Sequence, residues 1–128
     1  MSKKANFSNI YKFYDLINSV ITLGFDKTWR NKASKHIYGK RVLDLGSGTG
    51  AAFNVLSNYE VIAIDPDEKM LELNEFSNKI IGSGENLPFP DNSFDSVYCA
   101  FVWRNLNNPI KGIEEVHRVL RPGGKFIL

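Results

Sequence analysis

The chain has 128 residues, 43% hydrophobic and 23% charged, with 16 basic against 14 acidic side chains. That balance describes one folded globular domain and excludes disordered and fibrous classes. A domain of this length buries roughly two-thirds of the surface its unfolded chain exposes, so no disulfide or metal staple is needed, and the single Cys99 cannot form an intramolecular disulfide. No apolar run approaches the roughly 18 residues of a membrane span. Met1-Ser2-Lys3-Lys4 leads into Ala5-Asn6-Phe7-Ser8-Asn9, not into an apolar signal core, so a reducing, cytoplasmic setting is expected.

The net charge of +2 hides a division. Residues 1–41 carry nine basic groups (Lys3, Lys4, Lys12, Lys27, Arg30, Lys32, Lys35, Lys40, Arg41) against Asp15 and Asp26, a balance of +7, and the remainder carries −5. A basic front segment suits an anionic partner, such as a membrane surface or nucleic acid. The alternative is a solvated helix face.

Ile10, Phe13, Tyr14, Ile17, Val20 and Ile21 recur at spacings of three and four, which predicts an amphipathic helix over 8–22, ended by Gly24. A second helix is predicted from Asp26, as N-cap, through Trp29 and Ala33 towards Ile37, with Gly39 as its stop. Arg41 to Leu45 reads as a buried strand, Gly46 to Gly50 as a glycine turn, and Ala51 to Ser57 as a short helix. Glu60 to Ile64 is the next strand, and Asp65-Pro66-Asp67 opens a helix with Pro66 in its first turn. Lys79 to Gly82 is a third strand, 87–92 a loop, and Phe94 to Phe101 a fourth strand. Residues 109–120 form a helix with Ile110, Ile113, Val116, Val119 and Leu120 inward, and Pro122-Gly123-Gly124 turns into a last strand, Lys125 to Leu128. Strands alternating with helices predict a parallel sheet with right-handed crossovers.

In such a sheet, ligands bind beyond the carboxyl ends of the strands where the strand order reverses. Asp44-Leu45-Gly46-Ser47-Gly48-Thr49-Gly50 ends the first strand, and its glycines allow close ligand approach at a helix N-terminus. Gly46, Gly48 and Ala51 also satisfy the dinucleotide pattern G-x-G-x-x-A. Asp44 separates the two readings, because a carboxylate before the turn repels a pyrophosphate and favours the ammonium and sulfonium of S-adenosylmethionine. The alternative is that Asp44 only bonds nearby backbone amides. Asp65 ends the second strand, nineteen residues beyond Gly46, as helix cap and as acceptor for both ribose hydroxyls. Gly82-Ser83-Gly84-Glu85 at the third strand end are placed to contact an adenine edge.

Four ordered stretches now stand together: Asp44 to Gly50, Asp65, Glu85-Asn86-Leu87-Pro88-Phe89-Pro90-Asp91-Asn92-Ser93-Phe94-Asp95, and Arg118-Val119-Leu120-Arg121-Pro122-Gly123-Gly124. Together they resemble class I S-adenosylmethionine-dependent methyltransferases. Tyr14-Asp15-Leu16-Ile17-Asn18, Leu23-Gly24-Phe25-Asp26 with Trp29-Arg30, and Phe101-Val102-Trp103-Arg104-Asn105 narrow the resemblance to the ubiquinone/menaquinone-biosynthesis C-methyltransferases. It departs from that family at Ser83-Gly84, where an acidic or amide residue followed by Ala is usual, and in stopping at the fifth strand.

The resemblance implies a Rossmann-like α/β sheet with two N-terminal helices, residues 1–38 as lid and substrate segment, and residues 39–128 as cofactor-binding core. It also implies an antiparallel C-terminal hairpin that the chain lacks, so an exposed sheet edge is expected to seek a second copy or a covering segment. The expected cofactor is S-adenosyl-L-methionine, held by Asp44, Gly46, Ser47, Gly48, Gly50, Asp65, Ser83, Gly84 and Glu85. The expected acceptor is a small molecule, a membrane-borne prenyl quinol. Arg104 stabilises its phenolate and Asn105 orients the ring or its oxygen, with Tyr14, Asp15 and Asn18 reaching over from the front helix; the alternative for Arg104 is a bridge to surface carboxylates. Seven of the sixteen aromatic residues fall in the first 38 positions, fitting either an apolar ring or tail pocket or plain core. His36 and His117 lack the companions of a metal site, and Cys99 reads as core. Two alternatives remain: a nucleic-acid methyltransferase using the basic segment, against which stand the absence of Asn-Pro-Pro-aromatic after the fourth strand and of a Pro before Cys99, and a non-catalytic cofactor-binding module.

Overall fold

The computed structural model describes residues 25–100 and 106–128, so the helix predicted over 8–22 lies outside the described residues. The elements are α1 (Phe25–Ser34), β1 (Arg41–Leu45), α2 (Phe53–Leu56), β2 (Glu60–Asp65), α3 (Glu68–Glu72), β3 (Lys79–Ile81), β4 (Phe94–Cys99), α4 (Pro109–Val119) and β5 (Leu120–Ile127). All pairings are parallel and the sheet order is β3-β2-β1-β4-β5. The chain winds outward through β2 and β3, then crosses back to lay β4 on the other side of β1. The switch point therefore falls between β1 and β4, beside the glycine turn.

Both sheet faces are buried, which is why β1 reads as a nearly continuous apolar run. One face gathers Val42, Val61, Ala63, Tyr98 and Ile127 under Ala33 of α1 and Leu56 of α2. The other gathers Leu43, Leu45, Ile64, Val97 and Cys99 under Val116 and Val119 of α4. Cys99 is fully buried there, a core residue.

Several predicted details are corrected. Helix α1 takes in Asp26 and ends at Ser34, and tightened i→i+3 bonds from Lys35, His36 and Ile37 carry the chain out. The cap of α3 is Asp67, whose carboxylate accepts from the Lys69 and Met70 amides, so Pro66 precedes the cap and Asp65 is released from capping. Strand β4 stops at Cys99, and β3 at Ile81. Strand β5 begins at Leu120, with a register shift opposite Phe94 and Ser96, so the Pro-Gly-Gly segment lies within it. A Cβ on Gly124 would stand 2.8 Å from the Arg121 carbonyl and 2.9 Å from that of Asp95, which explains a glycine at this bulge.

Helix α4 buries Val116 and Val119 as expected but is rotated so that Ile110 and Ile113 leave the core. Its inward stripe is Gly112, Glu115, Val116 and Val119, whereas Ile110 and Ile113 are 70% and 52% exposed. The cause is Glu115, which accepts from the Leu87 amide at 2.8 Å and pairs with Arg118. Arg118 in turn donates to the carbonyls of Leu87 and Phe89 and to Asp91. Satisfying these groups turns the helix towards the loop after β3 and away from the isoleucines. Asp95 ties the opposite strand ends together, accepting from the Lys40 and Arg41 amides and from Arg121. These bonds hold its carboxyl below the usual carboxylate range. Two of the motif stretches, around Asp95 and Arg118, are thus architectural.

Candidate functional site

The glycine turn leaves β1 with left-handed backbone at Gly46, Gly48 and Gly50, where φ is 71°, 57° and 87°. The Gly46 and Ser47 amides both donate to the Ile64 carbonyl, at 2.9 and 3.0 Å, so the turn is anchored to β2. Gly50 has the strictest requirement. A Cβ there would lie 3.0 Å from Asn74 Cγ and Oδ1, in addition to the unfavourable φ.

Asn74 had no signal in the sequence, since it merely follows α3. It is buried, and its amide donates to Ser47 Oγ at 2.8 Å and to the Gly48 carbonyl at 3.0 Å, while Oδ1 accepts from the Phe76 amide. One side chain thereby fixes the turn from outside.

Asp44 is 3% exposed and points into the turn, where Ser47 Oγ donates to its Oδ2 at 2.7 Å. Among the described residues this bond comes from a side chain and not from a backbone amide. Burial pushes its pKa up to about 7, Ser47 opposes the rise, the Asp65 carboxylate adds to it, and the Arg30 cation on α1 lowers it. Asp65 is 6% exposed at the end of β2, with Oδ2 accepting from the Gly48 amide at 3.0 Å and Oδ1 from the Asp67 amide at 2.8 Å. Burial raises its pKa to about 6, against the lowering by those two amides. Each Asp65 oxygen retains a second lone pair, as two ribose hydroxyls require.

The structure brings Asp44, Gly46, Ser47, Gly48, Gly50 and Asp65 together around one turn. Ser83, Gly84 and Glu85 follow β3 in a tight turn in which Ser83 Oγ accepts from the Glu85 amide at 3.1 Å. The hydroxyl proton of Ser83 therefore stays available to an acceptor. Gly84 packs towards Leu45 and Leu106. The Glu85 carboxylate accepts from the Asn108 amide at 2.8 Å, so it ties this loop to the cap of α4. Arg104, Asn105, Tyr14, Asp15 and Asn18 lie outside the described residues. Among the described residues no group of three or more His, Cys, Asp or Glu side chains is placed to hold a metal ion.

The donor set fits S-adenosylmethionine and disfavours a dinucleotide. The buried Asp44 carboxylate stands at the turn where a dinucleotide would bring its pyrophosphate, whereas Asp65 suits a ribose of either cofactor. An ammonium would instead lower the Asp44 pKa, so that its proton leaves to solvent, and pair with the resulting anion. A parallel sheet with this site at its switch point defines a Rossmann-like domain of the class I methyltransferase type. The chain belongs to the methyltransferase domain family, which matches residues 43–128.

Among curated relatives it is 35% identical to demethylmenaquinone methyltransferase of Clavibacter sepedonicus, over 97% of this chain and 56% of that protein. It is 36% identical to the ubiquinone/menaquinone biosynthesis C-methyltransferase UbiE of Geobacter sp. (strain M21), over 98% of this chain and 61% of that protein. A solved S-adenosylmethionine-dependent methyltransferase from Aquifex aeolicus superposes with a TM-score of 0.61 at 30% identity, covering 71% of this chain and 56% of its own. The chain thus spans 56% and 61% of the lengths of the two curated relatives.

Proposed function

We propose that the chain is the cofactor-binding part of an S-adenosyl-L-methionine-dependent enzyme that methylates a ring carbon of a prenylated quinol. The observation that carries the cofactor is the pair of buried carboxylates, Asp44 and Asp65, on either side of the glycine turn. Asp44 takes the ammonium of the methionine end, Asp65 takes the ribose hydroxyls, and Ser83 and Gly84 with the Glu85 turn border the adenine. The names of the curated relatives and the Arg104-Asn105 stretch after β4 support the acceptor.

When bound, the cofactor supplies an electrophilic methyl group. The chain's own work is alignment and charge stabilisation. Arg104 holds the developing phenolate, which makes the adjacent ring carbon nucleophilic, and Asn105 orients the ring. Tyr14, Asp15 and Asn18 reach over the cofactor from the front of the 1–38 segment, whose later part packs on the 39–128 core through Ala33. A quinol with a prenyl tail resides in a bilayer, and the +7 balance of residues 1–41 suits an anionic membrane surface approached from the cytoplasm. Among the described residues no helix is long and apolar enough to cross a membrane. The outer side of β5 is the place for a second copy or a covering segment to add to the sheet.

Calorimetric titration with S-adenosylhomocysteine and with NAD tests the cofactor, and methyl transfer to a prenylated hydroquinone beside RNA tests the acceptor. The reading requires tighter binding of S-adenosylhomocysteine and transfer to the quinol. Asp65→Ala should lower that affinity at least about tenfold, because bonds to a charged acceptor are lost. Tighter binding of NAD, or transfer to RNA alone, overturns it.

A further inference from the structure

Tyr98 of β4 stands in register with Asp44 of β1. Residues paired across neighbouring strands present their side chains to the same face. That face is roofed by α1, whose Trp29 ring lies 6.1 Å from the Tyr98 ring at 56°. Tyr98 is 0% exposed, and its hydroxyl has no hydrogen-bond partner among the described residues. A buried hydroxyl left unmatched is a cost, and phenylalanine would fill the same space without it.

The charged and titratable groups that face Asp44 among the described residues are Asp65 from β2, Arg30 from α1 and Tyr98 from β4. Of these only Tyr98 is a neutral donor. Burial, and then the Asp44 charge, push the phenol's proton affinity further up, so it remains a donor throughout the neutral range. Ser47 supplies Asp44 with a single bond, whereas an ionised carboxylate accepts several.

We propose that Tyr98 is a positioning residue for the methionine end of the cofactor: its hydroxyl donates to the Asp44 carboxylate, directly or through one buried water, when that carboxylate is ionised. The inference rests on the cofactor reading above. In the ligand-free chain the Tyr98 hydroxyl is unmatched and Ser47 gives the Asp44 carboxyl its one bond among the described residues. Once a bound ammonium lowers the Asp44 pKa and the proton leaves to solvent, Asp44 gains acceptor capacity and Tyr98 supplies the bond that keeps the anion aimed at the ligand.

The test is Tyr98→Phe beside the unaltered chain. Carbon-detected NMR follows the Asp44 carboxyl from pH 5 to 9 without ligand, calorimetry measures S-adenosylhomocysteine binding at pH 6, 7 and 8, and thermal melting reports the fold. The expected variant melts no lower, titrates Asp44 at higher pH, and binds about tenfold more weakly at pH 7. Superimposable Asp44 titrations in a chain that binds overturn the role of Tyr98 and leave the cofactor reading intact. An unaltered chain that fails to bind S-adenosylhomocysteine refutes the cofactor reading itself, and the role of Tyr98 with it.

Discussion

Replacing Asp44 with asparagine should stabilise the ligand-free protein while crippling its binding site. Each tenfold change in proton affinity is about 1.4 kcal/mol, so lifting the Asp44 carboxyl from its ordinary 3.8 to about 7 sets an upper limit of about 4 kcal/mol on the cost of holding it ionised. Asparagine keeps an oxygen for the Ser47 hydroxyl but adds an NH2 group that needs an acceptor, and the expected gain is about 1–2 kcal/mol. The sign follows from the folded pKa lying above the unfolded one. The stability Asp44 confers is complete below about pH 4 and is lost as pH rises through about 7. The variant should therefore melt higher at pH 8, by about 4 °C per kcal/mol, with the difference closing by pH 5. Affinity for S-adenosylhomocysteine should fall more than about tenfold, because the ammonium loses its counter-charge. In the unaltered chain that affinity should itself weaken as pH falls through about 7 and then about 6, as Asp44 and Asp65 take up protons. Scanning calorimetry and titration at pH 5, 6.5 and 8 check all three. A variant that melts lower than the unaltered chain at pH 8, or by an amount independent of pH, would refute the reasoning.

Gly50→Ala places a Cβ 3.0 Å from Asn74 at a φ of +87°, so about 1–3 kcal/mol of stability should be lost together with S-adenosylhomocysteine binding, readable by melting and titration; intact binding would show that the turn tolerates the strain. Arg118→Lys keeps the charge but cannot span the Leu87 and Phe89 carbonyls, Asp91 and Glu115 together. Faster hydrogen exchange over 85–92 is expected, at a cost of about 2–3 kcal/mol, and unchanged exchange would remove Arg118 from that role. Arg104→Ala should spare S-adenosylhomocysteine affinity and lower kcat and kcat/KM together in quinol methylation, since its interaction strengthens as charge develops. A collapse of cofactor affinity would instead make Arg104 a structural residue.

The glycine turn was legible because each of its features is local: apolar β1, a carboxylate, three glycines that take left-handed backbone, and Asp65 at a fixed distance along the chain. The strands β1 to β4 were legible for the same reason, being short apolar runs between turn residues, and only their ends moved by a residue or two. Alternation of strands and helices also determined that the sheet is parallel and that the site lies at its switch point.

What only the tertiary structure decided is where long-range polar bonds compete with local pattern. The apolar spacing of α4 placed Ile110 and Ile113 inside, but the pairing of Glu115 and Arg118 with a loop 28 to 31 residues away turned the helix to a different stripe. Asn74 grips the glycine turn across 26 and 27 residues, and Tyr98 stands in register beside Asp44 only because β4 crosses back to β1. Periodicity records which residues are apolar and how far apart they lie. It carries no information about which distant donor will satisfy a buried acceptor, and in this domain those pairings set the rotation of α4, the rigidity of the turn and the surroundings of the Asp44 carboxylate.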